Sequence, residues 1–279
     1  MGLFNWLSIN NTNQNIHEEV TPIVNDFSHF KQVTNYIYEK SGIADLDTRA
    51  LSSSILQKFA DEQNIHITAH FLQMMKSNDK FYQDVMNIVT VNETYFLREE
   101  KELKWLVSYI KRSSHNLKIL SIPSSSGEEV YSILILLNEA GVDLKKIQIT
   151  GYDINSSAIK KARNASYKKR PLHKLNANLK AKYFNIDENN SYKISPFIKN
   201  QANFKQNNIF DLHNEINKFD IVLSRNMFIY FDNEKRLEAL NIIINLLKPD
   251  GIYIKGHADH IHPHKHLQSL KFGIYKKVL

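Results

Sequence analysis

The sequence predicts an α/β fold, in which a mostly parallel sheet carries helices on both faces and follows a small all-helical domain. Three observations lead to this prediction. Apolar residues recur at helical spacing over residues 21–90, a strand–turn–helix–strand unit lies between residues 117 and 153, and short apolar strands then alternate with helices. The 279 residues are 42% hydrophobic, which is enough for a buried core.

The first 116 residues divide into three segments. Residues 1–20 are rich in Asn, Gln and other polar residues, which predicts a flexible tail. Residues 21–90 place apolar side chains such as Val33 and Ile37 at three- and four-residue steps, which predicts a helical domain. We expect residues 91–116 to form a linker and the first helix of the domain that follows.

The second domain, predicted over residues 117–279, opens with a βαβ unit. Residues 117–122 form an apolar run typical of a buried strand, and a Ser-rich turn at 124–127 follows it. A helix is predicted over 128–139 and a second strand over 147–153. A unit of this kind implies neighbouring parallel strands joined by a right-handed crossover.

The alternation of strands and helices continues to the end of the chain. Further elements are expected at 156–163 (helix), 219–224 (strand), 233–247 (helix), 252–255 (strand) and 272–278 (strand, antiparallel to its neighbour). Asn233 is the predicted N-cap of its helix. Residues 184–204 contain short strand-like runs interrupted by Asn and Pro, and we interpret them as a small β insertion.

Composition excludes several classes of function. The chain has no cysteine, so disulfides, thiolate zinc sites, iron–sulfur clusters and cysteine nucleophiles are excluded. No apolar run approaches the ~20 residues that cross a bilayer, and no signal peptide is evident, so we expect a cytoplasmic protein without membrane insertion. Five histidines lie between His257 and His266 in a Pro-containing stretch, which favours a solvated loop over a metal site.

Candidate ligand-binding residues follow the predicted strands, where open α/β sheets bind their ligands. They are the turn at 125–129, Asp153 and the Ser-Arg-Asn segment at 224–226. A carboxylate in the position of Asp153 can accept both ribose hydroxyls of a nucleoside cofactor. This placement alone leaves NAD, FAD and S-adenosylmethionine open.

Two features favour S-adenosylmethionine among these cofactors. The Gly-x-Gly-x-x-Gly fingerprint of dinucleotide sites is missing, since Gly127 is the one glycine in the turn. Glu128 and Glu129 lie at the expected helix N-terminus, where two carboxylates repel a diphosphate but attract a sulfonium and an ammonium group.

Five segments, in order, resemble motifs of the chemotaxis receptor methyltransferase (CheR) family. Residues 92–99 read Asn-Glu-Thr-Tyr-Phe-Leu-Arg-Glu, which is similar to the family's Asn-x-Thr-x-Phe-Phe-Arg-Glu. Residues 125–132 resemble Ser-Thr-Gly-Glu-Glu-Pro-Tyr-Ser, and residues 153–155 resemble Asp-Ile-Asp. Residues 224–232 resemble Cys-Arg-Asn-Val-Met-Ile-Tyr-Phe-Asp, and 256–259 resemble Gly-His-Ser-Glu. The resemblance covers roughly residues 30–260 and is specific because all five motifs occur together.

The resemblance implies a Rossmann-like class I methyltransferase sheet and methyl transfer from S-adenosylmethionine to glutamate carboxylates of chemotaxis receptors. The partner it implies is the cytoplasmic helical region of those receptors, approached by a monomer, with no nucleic acid. It assigns Arg98 and Tyr230 to the reacting methyl group and the incoming glutamate. The cofactor residues it implies are Asn92, Thr94, Arg98, Glu128 at the methionine end, Asp153 at the ribose, and Asn208, Ile209, Arg225 and Asn226 around the adenine.

Two other functions stay open at this point. The formal charge of +7 is compatible with a nucleic-acid methyltransferase, although no Asn-Pro-Pro-Tyr-type motif is present. Pro123 stands where the family has a small residue before the turn, and it lacks an amide donor. A non-catalytic module that binds the cofactor and signals through its helical domain is therefore the second alternative.

Overall fold

A computed structural model describes residues 27–47 and 50–278, and the predicted tail at residues 1–20 lies outside these ranges. The helices are α1 Phe27–Ser41, α2 Ala50–Glu62, α3 Ala69–Ser77, α4 Asp79–Val89, α5 Glu100–Lys111, α6 Glu128–Glu139, α7 Ser156–Asn164, α8 Ala177–Tyr183, α9 Pro196–Lys199 and α10 Asn233–Leu246. The strands are β1 Leu117–Ser121, β2 Ile147–Asp153, β3 Ser166–Tyr167, β4 Phe184–Ile186, β5 Tyr192–Ile194, β6 Ala202–Gln206, β7 Phe219–Ser224, β8 Leu247–Lys255, β9 Leu267–Lys271 and β10 Ile274–Lys277.

The helical N-terminal region consists of α1 to α4, packed around one apolar core. Its centre is an aromatic cluster in which the Phe71 and Phe81 ring centroids lie 5.0 Å apart, with Phe59 against both. Asn78 caps α4 by accepting a hydrogen bond from the Phe81 amide at 3.0 Å. The predicted helical region before the α/β part is confirmed.

The main sheet has seven strands in the order β6-β2-β1-β7-β8-β10-β9. Strands β6, β2, β1, β7 and β8 run parallel, whereas β10 is antiparallel to both β8 and β9. The predicted α/β class and the antiparallel final strand are therefore confirmed. The strand order reverses direction at β1, so the carboxyl ends of β1 and β7 border the crevice where ligands bind in this class.

Both faces of the sheet are covered, because successive strand residues point to opposite faces. Ile119 and Ile221 pack on the side of α5 and α6, while their chain neighbours Leu120 and Val222 pack on the side of α10. This burial on two sides explains the nearly continuous apolar runs of the central strands.

The predicted β insertion differs from what the structure shows. The second, three-stranded sheet has the order β3-β5-β4 and therefore begins already at Ser166 and ends at Ile194. Residues 202–206 do not belong to it, because β6 pairs in parallel with β2 as the edge strand of the main sheet. Only Phe204 of β6 is buried, so the apolar signal of this strand in the sequence is weak.

The boundaries of α10 also differ from the prediction. Asp232, not Asn233, is the N-cap, since its Oδ1 accepts a hydrogen bond from the Lys235 amide at 2.9 Å. The helix ends at Leu246, and β8 begins at Leu247, earlier than the predicted start at residue 252, so that it includes Pro249. Proline is tolerated at this end of the strand, where residues 248–250 are partly or fully exposed.

Candidate functional site

A cleft at the carboxyl ends of β1, β2 and β7 contains two adjoining cavities, of about 620 and 890 Å³. The smaller, the apolar cavity, is bounded by Ile154, Ile209 and Met227. The larger, the polar cavity, is lined by charged and amide side chains. Their common wall includes Asn92, Val91, Pro123, Asp153 and Tyr230.

Asp153 lies at the end of β2 and faces both cavities. It is 3% exposed, and its two carboxylate oxygens accept hydrogen bonds from the Ser125 amide at 2.7 Å and the Asn155 amide at 2.8 Å. Burial raises the pKa of Asp153 to about 6 despite these two bonds. Each oxygen keeps a second lone pair, so the carboxylate can accept hydroxyl groups from a ligand in the cleft.

Glu128 and Glu129 begin α6 but face different cavities, because successive helix residues point about 100° apart. Glu129 lines the polar cavity together with Asp153. Glu128 is 1% exposed, and its two carboxylate oxygens share the single proton of the Ser126 hydroxyl, with Oγ 2.9 and 2.8 Å away. Glu128 lines a third cavity of about 930 Å³. Burial raises the pKa of Glu128. Glu129 thus lines the same cavity as Asp153, whereas Glu128, which the resemblance placed at the methionine end of the cofactor, lines the third cavity.

Arg225 follows β7 and lies in the wall of the polar cavity. Its side chain is 3% exposed. Nη1 contacts Glu129 Oε2 at 2.5 Å, Nε and Nη2 each contact Glu99 Oε2 at 3.3 Å, and Nη2 also donates to the Arg98 carbonyl. Burying an arginine requires such compensation. Arg225 therefore joins the start of α6 to the segment that carries Arg98.

The segment of residues 92–99 crosses from the helical region to the sheet and brings Asn92, Thr94 and Arg98 to the polar cavity. It is held by backbone contacts: the Phe96 amide donates to the Pro171 carbonyl at 3.0 Å, and the Leu97 amide donates to Ser132 Oγ at 2.9 Å. Arg98 Nη1 donates to the Glu93 carbonyl at 2.9 Å.

Asn208 and Ile209 line the apolar cavity at the end of the β6 connection. Asn208 Oδ1 accepts a hydrogen bond from the Phe210 amide at 3.2 Å, and its Nδ2 donates to the Lys40 carbonyl at 2.6 Å. Its side chain therefore joins the two domains as well as bordering the cavity. Tyr230 lines both cavities.

Asn226 lines the polar cavity and has a φ of 63°. Its backbone amide donates a hydrogen bond to Asp259 Oδ2 at 2.6 Å. Asp259 is fully buried and also accepts from the amides of Phe228 and Gly256. Burial raises the pKa of Asp259. Sequence reasoning did not assign Asp259, although its place in the Gly-His-x-Glu-like motif was an available signal.

The sequence also did not identify Ser41 and Ile43 as cavity-lining residues. Both belong to the helical region and meet the sheet domain only through tertiary packing. No motif or periodicity marks such residues.

One possible metal-ligand group occurs among the described residues, consisting of Glu99, Glu102 and His257 with ligand atoms within 4.8 Å of one another. His257 Nε2 lies 2.8 Å from Glu102 Oε1, and Glu99 contacts Arg225. These existing partners account for the cluster as an ion-pair network.

Within residues 27–47 and 50–278, no helix is long and apolar enough to span a membrane.

Comparison with known proteins agrees with the motifs. Residues 92–275 match the family model described as CheR methyltransferase, SAM binding domain. The chain is 36% identical over 245 residues to the chemotaxis protein methyltransferase of Campylobacter jejuni, covering 88% of this chain and 92% of that protein. It is 31% identical over 256 residues to chemotaxis protein methyltransferase 2 of Vibrio cholerae, covering 84% and 85%. It is 27% identical to the Escherichia coli chemotaxis protein methyltransferase over 240 residues, covering 83% and 84%. The chain therefore belongs to the CheR methyltransferase family, whose domain binds S-adenosylmethionine.

Proposed function

We propose that this protein transfers the methyl group of S-adenosylmethionine to glutamate side chains of methyl-accepting chemotaxis receptors. The products are glutamate methyl esters and S-adenosylhomocysteine. The observation that carries this proposal is that Asp153, Glu129, Arg98 and Tyr230 line one cleft at the carboxyl edge of the sheet. The three relatives described above are chemotaxis protein methyltransferases, which supports a receptor as the substrate.

The two cavities suit the two ends of the cofactor. We place the adenine in the apolar cavity, beside Asn208 and Ile209, and the ribose hydroxyls on Asp153 between the cavities. The methionine part then extends into the polar cavity, which Asn92 and Thr94 also line.

Glu129 is the carboxylate that we assign to the cofactor ammonium, in place of Glu128. Glu129 shares a cavity with Asp153, whereas Glu128 is enclosed by Ser126 and faces the third cavity. Arg225 acts through its neighbours, because it contacts both the Glu129 carboxylate and the Arg98 carbonyl. It thereby sets the distance between the carboxylate that holds the cofactor and Arg98, which holds the substrate glutamate. Asn226 also lines the polar cavity.

The chemistry needs few protein groups. A glutamate carboxylate has an ordinary pKa of about 4.3 and is already ionised near neutral pH, so no general base is required. Its attack on the sulfonium methyl joins an anion to a cation, and charge is lost toward the transition state. Exclusion of water favours such a step. Arg98 holds one carboxylate oxygen while the other attacks, and Tyr230 aligns the reacting groups from the junction of the cavities.

We place the reaction in the cytoplasm, where the helical signalling region of a receptor would be exposed to a protein with no membrane-spanning helix among its described residues.

The test is incubation with tritiated S-adenosylmethionine and receptor cytoplasmic fragments. We expect label on the receptor that mild alkali releases as methanol, and almost none with an Arg98→Ala variant assayed at a concentration of S-adenosylmethionine that calorimetry shows to be saturating for that variant. Alkali-stable label would contradict a carboxyl ester. Tight cofactor binding without label on any receptor fragment would instead identify a non-catalytic binding module, the alternative that Pro123 suggested.

A further inference from the structure

One segment of the chain accounts for the net positive charge of this protein. Residues 154–186 contain nine of the 36 Lys and Arg residues and none of the 29 Asp and Glu residues. Without these nine, basic residues no longer outnumber acidic ones, so the segment supplies the whole positive excess of +7. Charge of one sign over a continuous stretch creates a local field that attracts the opposite charge.

The fold brings part of this segment to the mouth of the cleft. Lys161 of α7, together with Arg170 and His173 from the connection between β3 and α8, lines the third cavity of about 930 Å³. The neighbouring Lys169 and Lys174 are also exposed. We call these five residues, Lys161, Lys169, Arg170, His173 and Lys174, the basic surface. The third cavity and the polar cavity share Asn92, Glu93 and Thr94, so the basic surface continues directly from the proposed cofactor site.

The basic surface also contacts the segment that carries Arg98. The Pro171 carbonyl accepts the Phe96 amide at 3.0 Å, and the Tyr95 and His173 ring centroids lie 4.7 Å apart. A peptide held on the basic surface would therefore be held in a constant position relative to Arg98.

The basic surface already contains one contact with a carboxylate. Arg170 Nη2 contacts Glu93 Oε1 at 3.0 Å, with both side chains largely exposed, at 89% and 73%. Exposed pairs of this kind contribute only about 0–1 kcal/mol, so an incoming carboxylate can replace Glu93 at little cost. Arg170 is thus positioned to pair with an acidic side chain of a bound segment.

We propose that the basic surface binds the acidic side chains that flank the acceptor glutamate, and so orients the substrate segment before methyl transfer. This inference rests on the proposed function and adds a substrate-recognition surface separate from Arg98 and Tyr230. It predicts that the substrate is an acidic peptide segment rather than an isolated glutamate.

The test uses a double charge reversal, Lys169→Glu with Arg170→Glu, in the full-length protein. The matched control is Lys145→Glu with Lys146→Glu, which changes the net charge equally at the opposite, amino-terminal end of β2. We expect the first variant to raise the KM for a receptor cytoplasmic fragment about tenfold, since two attractive contacts become repulsive. We expect kcat and the Kd for S-adenosylmethionine to stay within about twofold, because neither residue lines the polar cavity.

A second variant should change the KM for the receptor fragment in the opposite direction. Glu93→Gln removes the side chain that now pairs with Arg170, so the KM for the receptor fragment should fall, and added salt should then weaken binding more steeply. An unchanged KM in the double reversal, or an equal change in the control pair, would overturn the proposal.

Binding measured without turnover separates this inference from the proposed function. Anisotropy of a fluorescein-labelled glutamate-rich peptide should report weaker binding to the Lys169/Arg170 reversal than to the control, whether or not a receptor is methylated. If the reversal instead abolishes binding to a labelled DNA duplex or to phosphatidylserine vesicles, while peptide binding is unchanged, the surface serves another anion and the proposal is wrong.

Discussion

Carboxyl groups that are neighbours in the chain have different roles here because their surroundings differ. The Glu129 carboxylate forms an ion pair with Arg225 and accepts a hydrogen bond from Ser121. Glu128 is instead buried beside Ser126, and this burial raises its pKa. Asp153 is nearly as buried and meets two amides. We therefore expect a cation at the methionine end to bind at Glu129 and a ribose to bind at Asp153.

The assignment of the ammonium partner can be tested by comparing two substitutions. We expect Glu129→Gln to weaken S-adenosylmethionine binding about 10- to 100-fold, because a charge-assisted contact is lost. Glu128→Gln should change the Kd much less. Calorimetry measures both, and methylthioadenosine, which lacks the amino-acid part, is the control ligand whose Kd should not respond to Glu129→Gln. A larger effect of Glu128→Gln would restore the assignment made from the sequence.

Cofactor affinity should depend on pH through Asp153. Burial raises its pKa in the folded, ligand-free protein to about 6, so the carboxyl takes up a proton as the pH falls through that value. Ribose hydroxyls donate to the ionised form, and protons therefore compete with the ligand. We expect the Kd to rise by up to about tenfold for each pH unit below 6. Calorimetry between pH 5 and pH 8 measures this, and an Asp153→Asn variant with the same pH profile would show that another group titrates.

At the scale of single elements, the turn between β1 and α6 sets the position of both glutamates. Gly127 has φ of 91°, and a Cβ there would lie 2.9 Å from Phe204 Cζ and 3.0 Å from Ala162 Cβ. A glycine at this point thus lets α6 begin close to β6 and α7. Pro123, upstream in the same turn, leaves the amides of Ser124 and Ser125 free to bond the Tyr152 carbonyl and Asp153.

Gly127→Ala should therefore destabilise the protein and displace the start of α6. We expect the free energy of unfolding to fall by about 1–3 kcal/mol and the Kd for S-adenosylmethionine to rise. Urea denaturation and calorimetry measure the two effects. Gly141→Ala is the matched control, because Gly141 also has positive φ, 73°, but has nothing within 4 Å of its added Cβ. Equal losses of affinity in both variants would show that the turn contacts do not matter.

At the scale of the whole molecule, the apolar cavity lies where the helical region meets the sheet. Tyr38 OH donates to Asp232 at 2.7 Å, the Ala44 amide donates to the Tyr230 carbonyl at 2.9 Å, and Gln83 Nε2 donates to the Ile154 carbonyl at 3.0 Å. Residues on both sides line the apolar cavity. Ligand binding and the packing of the two domains are therefore linked, because a ligand that contacts both stabilises their contact.

Gly42→Ala tests this linkage. Gly42 has φ of 72°, and its Cβ would lie 2.6 Å from Phe210 Cε2 and 3.3 Å from Phe231 Cε1, so the two rings or the end of α1 must shift at the contact between the helical region and the sheet. We expect a lower Tm without ligand and a smaller increase in Tm on adding S-adenosylmethionine, measured by thermal shift. A lower Tm with an undiminished ligand-induced increase would indicate that the helical region stabilises the fold without shaping the cofactor site.

The sequence by itself determined the elements whose apolar pattern is strong and the residues that stand in motifs. The buried strands β1, β2 and β7 and the amphipathic helices follow from periodicity, and motif positions such as Asp153 and Arg98 line the cleft. The edge strand β6 was missed because only one of its side chains is buried.

Only the tertiary structure decided which of two adjacent glutamates faces the polar cavity, that Arg225 holds Glu129, and that Ser41 and Ile43 complete the apolar cavity. These facts depend on the rotation of α6 about its axis and on contacts between distant segments. The rotation of a helix and the contacts between distant segments arise from the packing of whole elements against each other. They therefore leave no local pattern of residue spacing in the sequence.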